Sequence, residues 1–137
     1  GKGMREIKLR AWDNVENKML YLGEEEDIIF SFDGSSIIAT DIREDDPNFQ
    51  TLHHLVYMQY TGLKDSGGVD IYEGDVVKIT STYSGYEKAT VKYEESLASF
   101  VFEKGEDQGY SRIDASFKGI KVIGNIHQKL EPLTEKQ

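Results

Sequence analysis

The residues most able to do chemistry in this sequence are carboxylates, and the densest group lies in the segment MQYTGLKDSGGVDIYEGDVVKI, residues 58–79. Its acidic members are Asp65, Asp70, Glu73 and Asp75. Two carboxyl groups can perform acid–base catalysis when their surroundings hold their pKa values apart. Acidic residues also flank turns, where they accept hydrogen bonds from backbone amides. We favour the turn interpretation, because paired glycines and β-branched residues dominate the segment.

The acidic run Glu24–Asp27 and the three histidines are the remaining candidates for a metal site. Calcium loops alternate their oxygen ligands around a glycine, and the acidic run contains none. His53 and His54 are adjacent, whereas a helical pair of zinc ligands is usually four residues apart, and His127 is distant in sequence. The chain also lacks cysteine. We therefore predict that the protein binds no metal and no cofactor.

Sequence motifs of enzymes are missing as well. The sequence contains no phosphate-binding glycine loop, no nucleophile elbow and no metalloprotease helix. Because the clustered carboxylates are assigned to turns, no catalytic residue can be named. We predict that the protein is not an enzyme.

The acidic residues are concentrated in the first part of the chain. The net charge is −9; residues 1–77 contain 7 Lys and Arg against 16 Asp and Glu, and residues 78–137 contain 9 of each. An acidic surface repels phosphate backbones and favours basic partners. No apolar run approaches the roughly 20 residues of a membrane helix, and a chain without cysteine is compatible with a reducing cytosol. We predict a cytoplasmic protein that does not associate with membranes.

The first part of the chain combines strand patterns with one helix pattern. Apolar and charged residues alternate over residues 4–12, and Asp33-Gly34 between two apolar runs predicts a β-hairpin. Asp46-Pro47 resembles the start of a helix. The following apolar residues recur at spacings of three and four: Phe49, Leu52, Leu55 and Val56. We predict a short helix here and an N-terminal α+β subdomain over residues 4–56.

Residues 57–130 show β patterning throughout. Apolar residues alternate with Lys and Thr from Lys88 to Tyr93, and Gly124 within the last apolar run indicates a β-bulge. Short strands with turn signals about every ten residues predict a small SH3-like β-barrel. The predicted fold class is mainly β (α+β), with the N-terminal subdomain packed on this barrel and a polar tail at residues 131–137.

Aromatic and basic side chains supply the candidate interaction residues. The only tryptophan, Trp12, is typical of a core anchor, but Arg10 beside it makes the pair a candidate interaction face. In the barrel, the alternation assigns the phenylalanines to the core. It leaves Tyr83, Tyr86 and Tyr110 as aromatics that we predict to be exposed. Exposed tyrosines can support self-association or stack on the bases of single-stranded nucleic acid.

Three segments of the sequence resemble the YopX family, which consists of small phage and prophage proteins of Gram-positive bacteria. They are MREIKLRAWD at residues 4–13, TGLKDSGGVDIYEGDVVKI at residues 61–79 and IKVIGNIH at residues 120–127. The resemblance implies a phage-encoded accessory protein in the bacterial cytoplasm, and it supports the division into two parts. It implies no activity, substrate or cofactor.

The sequence favours a non-enzymatic protein-binding or self-assembly module. The expected partners are a second copy of the chain or a phage or host protein, because exposed sheet edges and aromatic turns support association. The alternative is single-stranded nucleic-acid binding through the C-terminal barrel. The neutral charge of residues 78–137 weakens that alternative, since affinity for phosphates comes from an excess of Lys and Arg.

Overall fold

The computed structural model describes residues 6–45, 47–81, 85–105, 109–113 and 119–128, with Ser81 and Tyr86 as backbone only. The protein is mainly β, as predicted. A short 3₁₀ helix, Glu95–Leu97, interrupts the strands. The strands are β1 (Leu9–Asp13), β2 (Lys18–Tyr21), β3 (Ile28–Asp33), β4 (Ser36–Asp41), β5 (Gln50–Leu52), β6 (Val56–Lys64), β7 (Asp70–Tyr72), β8 (Asp75–Ser81), β9 (Gly85–Glu94), β10 (Ser99–Glu103), β11 (Tyr110–Arg112) and β12 (Ile120–Asn125).

The chain divides into two compact units. The N-terminal unit is Ile7–Gln59, and the C-terminal unit is Gly1–Glu6 with Tyr60–Gln137. The predicted division into subdomains at residues 4–56 and 57–130 stays a prediction. The predicted polar tail at residues 131–137 lies outside the described residues.

The N-terminal unit contains two antiparallel sheets. In one, β1 lies between β2 and the first residues of β6; in the other, the order is β3-β4-β5. Gly34 forms the β3–β4 turn with φ +64°, a left-handed conformation that glycine adopts without steric cost. The core consists of one face of these strands: Leu20, Ile28 and Ala39, with Phe30, Leu52 and Leu55 packed against them.

The prediction of a helix after Asp46-Pro47 is wrong. Residues 50–52 form strand β5, which pairs with β4 through Ala39 and Leu52 and through Asp41 and Gln50. Strand β5 forms ladder hydrogen bonds with the edge of β4 that would otherwise be open. Leu52 packs against the core from this strand, so burial of its side chain does not require a helix. Tertiary pairing therefore overrides the local spacing, and the described part of this unit contains no α-helix.

The C-terminal unit is built on a five-stranded antiparallel sheet of order β11-β10-β9-β8-β12, and the last residues of β6 pair separately with β7. One face of the large sheet is apolar, as the alternation predicts: Val77, Ala89, Val91, Phe102 and Ile120 are buried there with Ile71 of β7. The register of β12 against β8 shifts between Val122 and Gly124, where a bulge was predicted. The SH3-like barrel stays a prediction.

The turn at residues 65–69 joins β6 to β7 and also contacts β12. The amide of Ser66 donates to the carbonyl of Ile120 at 2.9 Å, and the amide of Asp65 donates to the carbonyl of Val69 at 2.7 Å. Only the second glycine of the pair has a positive φ, +86° at Gly68. The two glycines therefore differ in how they tolerate a side chain.

We expect Gly68→Ala to lower the free energy of unfolding by about 1–3 kcal/mol, because alanine is strained at positive φ. Gly67→Ala is the matched control: its Cβ would meet the Oδ1 atom of Asp65 at 3.5 Å, an ordinary contact. Urea denaturation of the two variants measures the difference. Equal stability of both variants would contradict the assignment of the left-handed position to Gly68.

Candidate functional site

The most exposed apolar side chains of the N-terminal unit include those of the β3–β4 hairpin. Phe32 is 65% exposed, Ile29 is 54% exposed and Ile38 is 37% exposed. Ile29 and Ile38 lie on the face opposite the core residues, whereas Phe32 lies on the core-facing side near the turn. The hairpin therefore has exposed apolar side chains on both of its faces. Exposed apolar side chains grouped on one hairpin make it a candidate interaction site.

Strand β3 also has an open edge. It is the terminal strand of the sheet β3-β4-β5, and no strand lies beside its outer edge in the part of the chain that is described. Its first five residues, Ile-Ile-Phe-Ser-Phe, carry no charge and no proline. Natural proteins usually protect such edges with lysine, proline or a bulge. The β3 edge therefore has backbone groups able to pair with another strand.

Acidic residues surround this edge. Glu24, Glu26 and Asp27 precede β3 and are exposed, and Asp33 at its end is exposed too. Glu25 is partly buried, and its Oε2 atom accepts the amide of Tyr21 at 2.9 Å. The carboxylates thus place negative charge at both ends of an apolar strand.

An ion pair stabilises the far end of the hairpin. The guanidinium of Arg43 donates from Nε to both carboxylate oxygens of Asp41, at 3.1 and 3.0 Å, and the Arg43 amide donates to Oδ1 at 2.9 Å. The Arg43 side-chain hydrogen bond lowers the pKa of Asp41, with the backbone bond adding to it. Asp41 pairs with Ile28 across the strands, so this contact fixes where β3 begins.

Asp13 and His54 form a carboxylate–imidazole pair. The Nε2 atom of His54 lies 2.8 Å from Oδ1 of Asp13, and the amides of Val15 and Glu16 donate to the same oxygen at 2.9 and 3.0 Å. Burial raises the pKa of Asp13, but the two amides and His54 outweigh burial and lower it. Because the carboxylate holds the β1–β2 turn, we assign the pair a structural role.

The central carboxylates also bind backbone amides. Asp65 accepts the amides of Gly67 and Val69 on Oδ1, at 2.8 and 2.9 Å, and the amide of Val122 on Oδ2 at 3.0 Å. Asp75 accepts the amide of Tyr72 at 2.8 Å. Among the described residues, no three His, Cys, Asp or Glu side chains are grouped closely enough to hold a metal ion. The turn interpretation of this segment accounts for these contacts.

The structure places the predicted interaction residues in different environments. Arg10 and Trp12 are buried, at 4% and 8% exposure, and their role as an interaction face stays a prediction. Tyr110 is 47% exposed on β11. Tyr86 of β9 pairs with Thr80 of β8, and Tyr83 lies outside the described residues. Arg10 and Trp12 belong to the N-terminal unit, and Tyr110 belongs to the C-terminal unit.

The β-hairpin predicted at Asp33-Gly34 is confirmed, but the sequence did not predict that its apolar side chains are exposed. The run Ile28–Phe32 reads as a buried apolar strand, because continuous apolar runs are typical of strands covered on both faces. The signal that was available is the pair of acidic flanks, Glu24–Asp27 and Asp33, which keep this segment near solvent. In the parts of the chain that the structure covers, no helix has the length and apolar character needed to cross a bilayer.

Comparison with known proteins agrees with this architecture. The chain belongs to the YopX protein family, which matches residues 8–134. It is similar to the crystal structure of protein EF1440 from Enterococcus faecalis, with 25% identity and a TM-score of 0.56, covering 90% of this chain and 95% of that one. It is also similar in fold to protein yopX from Bacillus subtilis, with 19% identity and a TM-score of 0.64, covering 96% and 100%. No curated protein matches the sequence.

We expect acid to destabilise the protein through Asp65. Burial raises the pKa of Asp65, but the amides of Val122, Val69 and Gly67 outweigh burial and lower the pKa below its ordinary value of 3.8. The folded state therefore binds this proton less readily than the unfolded state, so the stabilisation is present above pH 3.8 and lost as pH falls through the folded pKa.

Asp65→Asn provides the test, because an amide keeps one acceptor oxygen and presents N–H groups in place of the other. We expect the free energy of unfolding at neutral pH to fall by about 1–3 kcal/mol and its decrease in acid to become shallower. Asp33→Asn, at an exposed position, is the control. Chemical denaturation across pH measures both, and an unchanged acid profile for Asp65→Asn would refute the role of this carboxylate.

Proposed function

We propose that the protein is a non-enzymatic protein-binding module and that an extended segment of its partner pairs with the open edge of β3. The observation that carries the proposal is a terminal strand whose first five residues are uncharged and whose side chains Ile29 and Phe32 are more than half exposed. In this recognition mode, backbone hydrogen bonds supply affinity and alternate side chains supply specificity.

Both faces of the hairpin contribute to this surface. A strand added beside β3 places its own alternate side chains next to Ile29 on the outer face and next to Phe32 on the other face. The buried residues Ile28 and Ala39 hold the hairpin on the core of the N-terminal unit. The edge is therefore presented by a packed sheet and not by a free loop.

Charge determines which partner is favoured. The exposed carboxylates of Glu24, Glu26, Asp27 and Asp33 attract a segment that carries Lys or Arg on both sides of an apolar centre. Two copies of the β3 edge would instead bring their acidic flanks together, and like charges placed face to face oppose association. The proposed occupant is thus a basic, extended segment of a different protein, and the predicted homo-oligomer becomes the competing outcome.

The biological setting belongs to the same proposal. Membership of the YopX family supports a phage or prophage accessory protein that acts in the bacterial cytoplasm. Backbone hydrogen bonds of Asp13, Asp65 and Asp75 support a role without catalysis, since each carboxylate is used to hold a turn or strand end. An SH3-like barrel in the C-terminal unit is part of the proposed architecture.

Three synthetic peptides test the proposal by isothermal titration calorimetry. KKVTVTVKK has the proposed pattern, EEVTVTVEE reverses its flanking charge, and KKVTPTVKK cannot form a regular strand. We expect only the first to bind. We further expect Ile29→Lys to weaken its binding at least about tenfold, because a lysine on an edge strand repels both another strand and a basic peptide.

Val15→Lys is the matched control, since Val15 is 68% exposed in the β1–β2 turn and the substitution adds the same charge. Equal loss of binding in Ile29→Lys and Val15→Lys would show that the added charge alone weakens binding, and not its position on β3. Equal binding of KKVTPTVKK would refute strand pairing. A stable dimer in light scattering that Ile29→Lys dissociates would show that a second copy occupies the edge, and would overturn the proposed partner.

A further inference from the structure

Three lysines form one cross-strand row on the five-stranded sheet of the C-terminal unit. Lys121 of β12 pairs with Lys78 of β8, and Lys78 pairs with Lys88 of β9. Directly paired residues of antiparallel strands project from the same face, and neighbouring strands are about 4.8 Å apart. The three ammonium groups therefore belong to one side of the sheet, opposite the buried residues Val77 and Ala89.

Repulsion between the three charges works against this row. Like charges directly opposite each other on a sheet destabilise it, and the row contains two such pairs. The same face carries two further cations: Lys92 lies four residues after Lys88 in β9 and pairs with Val101, and Val101 pairs with Arg112 of β11. Five of the nine Lys and Arg residues after position 77 thus lie on one face of a segment whose net charge is zero.

A groove and an exposed aromatic ring lie on this same face. The groove has a volume of about 230 Å³ and is lined by Val76, Lys88, Ala89, Thr90, Glu103, Lys104 and Gly105. Tyr110 pairs with Glu103, and Glu103 pairs with Thr90. Because Glu103 and Thr90 both line the groove, Tyr110 is next to the groove on the neighbouring strand β11. Tyr110 is 47% exposed. The groove is large enough for one nucleobase or sugar.

We propose that this face, comprising the Lys121–Lys78–Lys88 row, the groove and Tyr110, binds single-stranded nucleic acid. A basic face that follows the phosphates, combined with aromatic rings that stack on bases, is the general solution for binding a single strand without sequence preference. Concentrating cations on one face provides this attraction although the whole protein is acidic. The site is separate from the β3 edge and does not depend on the proposed protein partner.

Carboxylates modulate the charge of the face. Glu103 pairs with Lys92 at 3.0 Å, Glu87 pairs with Lys104 at 2.9 Å, and the charge of Lys121 acts on Asp65. These exposed pairs exchange readily for phosphate contacts because surface ion pairs contribute little. Affinity is therefore expected to be modest at low salt and to fall steeply as salt rises.

Fluorescence anisotropy with a labelled oligothymidylate, measured over a range of salt, tests the proposal. We expect saturable binding at low salt for the unchanged protein. The double variant Lys88→Gln, Lys121→Gln should bind at least about tenfold more weakly, and the slope of log K against log salt should fall in magnitude by about 0.7 per lysine removed. The variant Lys18→Gln, Lys64→Gln removes the same charge elsewhere and should retain binding within about twofold.

The aromatic part has its own pair of variants. Tyr110→Ala should weaken binding about tenfold, whereas Tyr110→Phe should retain it, because stacking needs the ring and not the hydroxyl. Failure of the oligothymidylate to bind at low salt would overturn the proposal. So would equal losses in the two double-lysine variants, or competition by polyglutamate as effective as that by unlabelled oligothymidylate, since either shows nonspecific attraction of anions. Equal binding by the two Tyr110 variants would overturn the stacking role.

Discussion

The Asp65 carboxylate makes the contact on which the C-terminal unit most depends. Its two oxygens accept hydrogen bonds from amides of the turn at residues 65–69 and from the amide of Val122 in β12. Asp65 and Val122 are 57 residues apart in the sequence. A buried carboxylate that keeps its charge must have such donors, because burial without them costs several kcal/mol. The contact closes the central segment against the last strand, and the sheet between them is thereby held in one register.

The same use of carboxylates recurs at two other acidic residues of the protein, Asp13 and Asp41. Asp13, Asp41 and Asp65 each have a lowered pKa, and each accepts backbone amides. In each case the hydrogen bonds favour the charged carboxylate, which in turn holds a turn or the end of a strand. What remains accessible is surface: an apolar strand edge with acidic flanks in one unit and a basic sheet face in the other.

Much of the fold follows from local pattern, and the failures have physical causes. The alternation Ala89, Val91 against Lys88, Lys92 correctly predicts which face of β9 is buried. The three- and four-residue spacing after Pro47 predicts a helix, but β4 offers a strand partner that no local pattern records. The lysine row is likewise invisible in sequence, since Lys78, Lys88 and Lys121 meet only through the register of three strands. Exposure of Ile29 was missed because an apolar residue at a sheet edge looks the same in sequence as one in the core.

The most direct test of the account is hydrogen–deuterium exchange at the amides of β3, measured with and without the peptide KKVTVTVKK. Amides on the outer edge of Ile28–Asp33 are expected to exchange rapidly in the free protein and to slow when the peptide is added, while the amides paired with β4 stay protected. Edge amides that are already protected in the free protein at low concentration, or that exchange equally fast with the peptide present, would contradict the claim that β3 is an open strand for a basic partner.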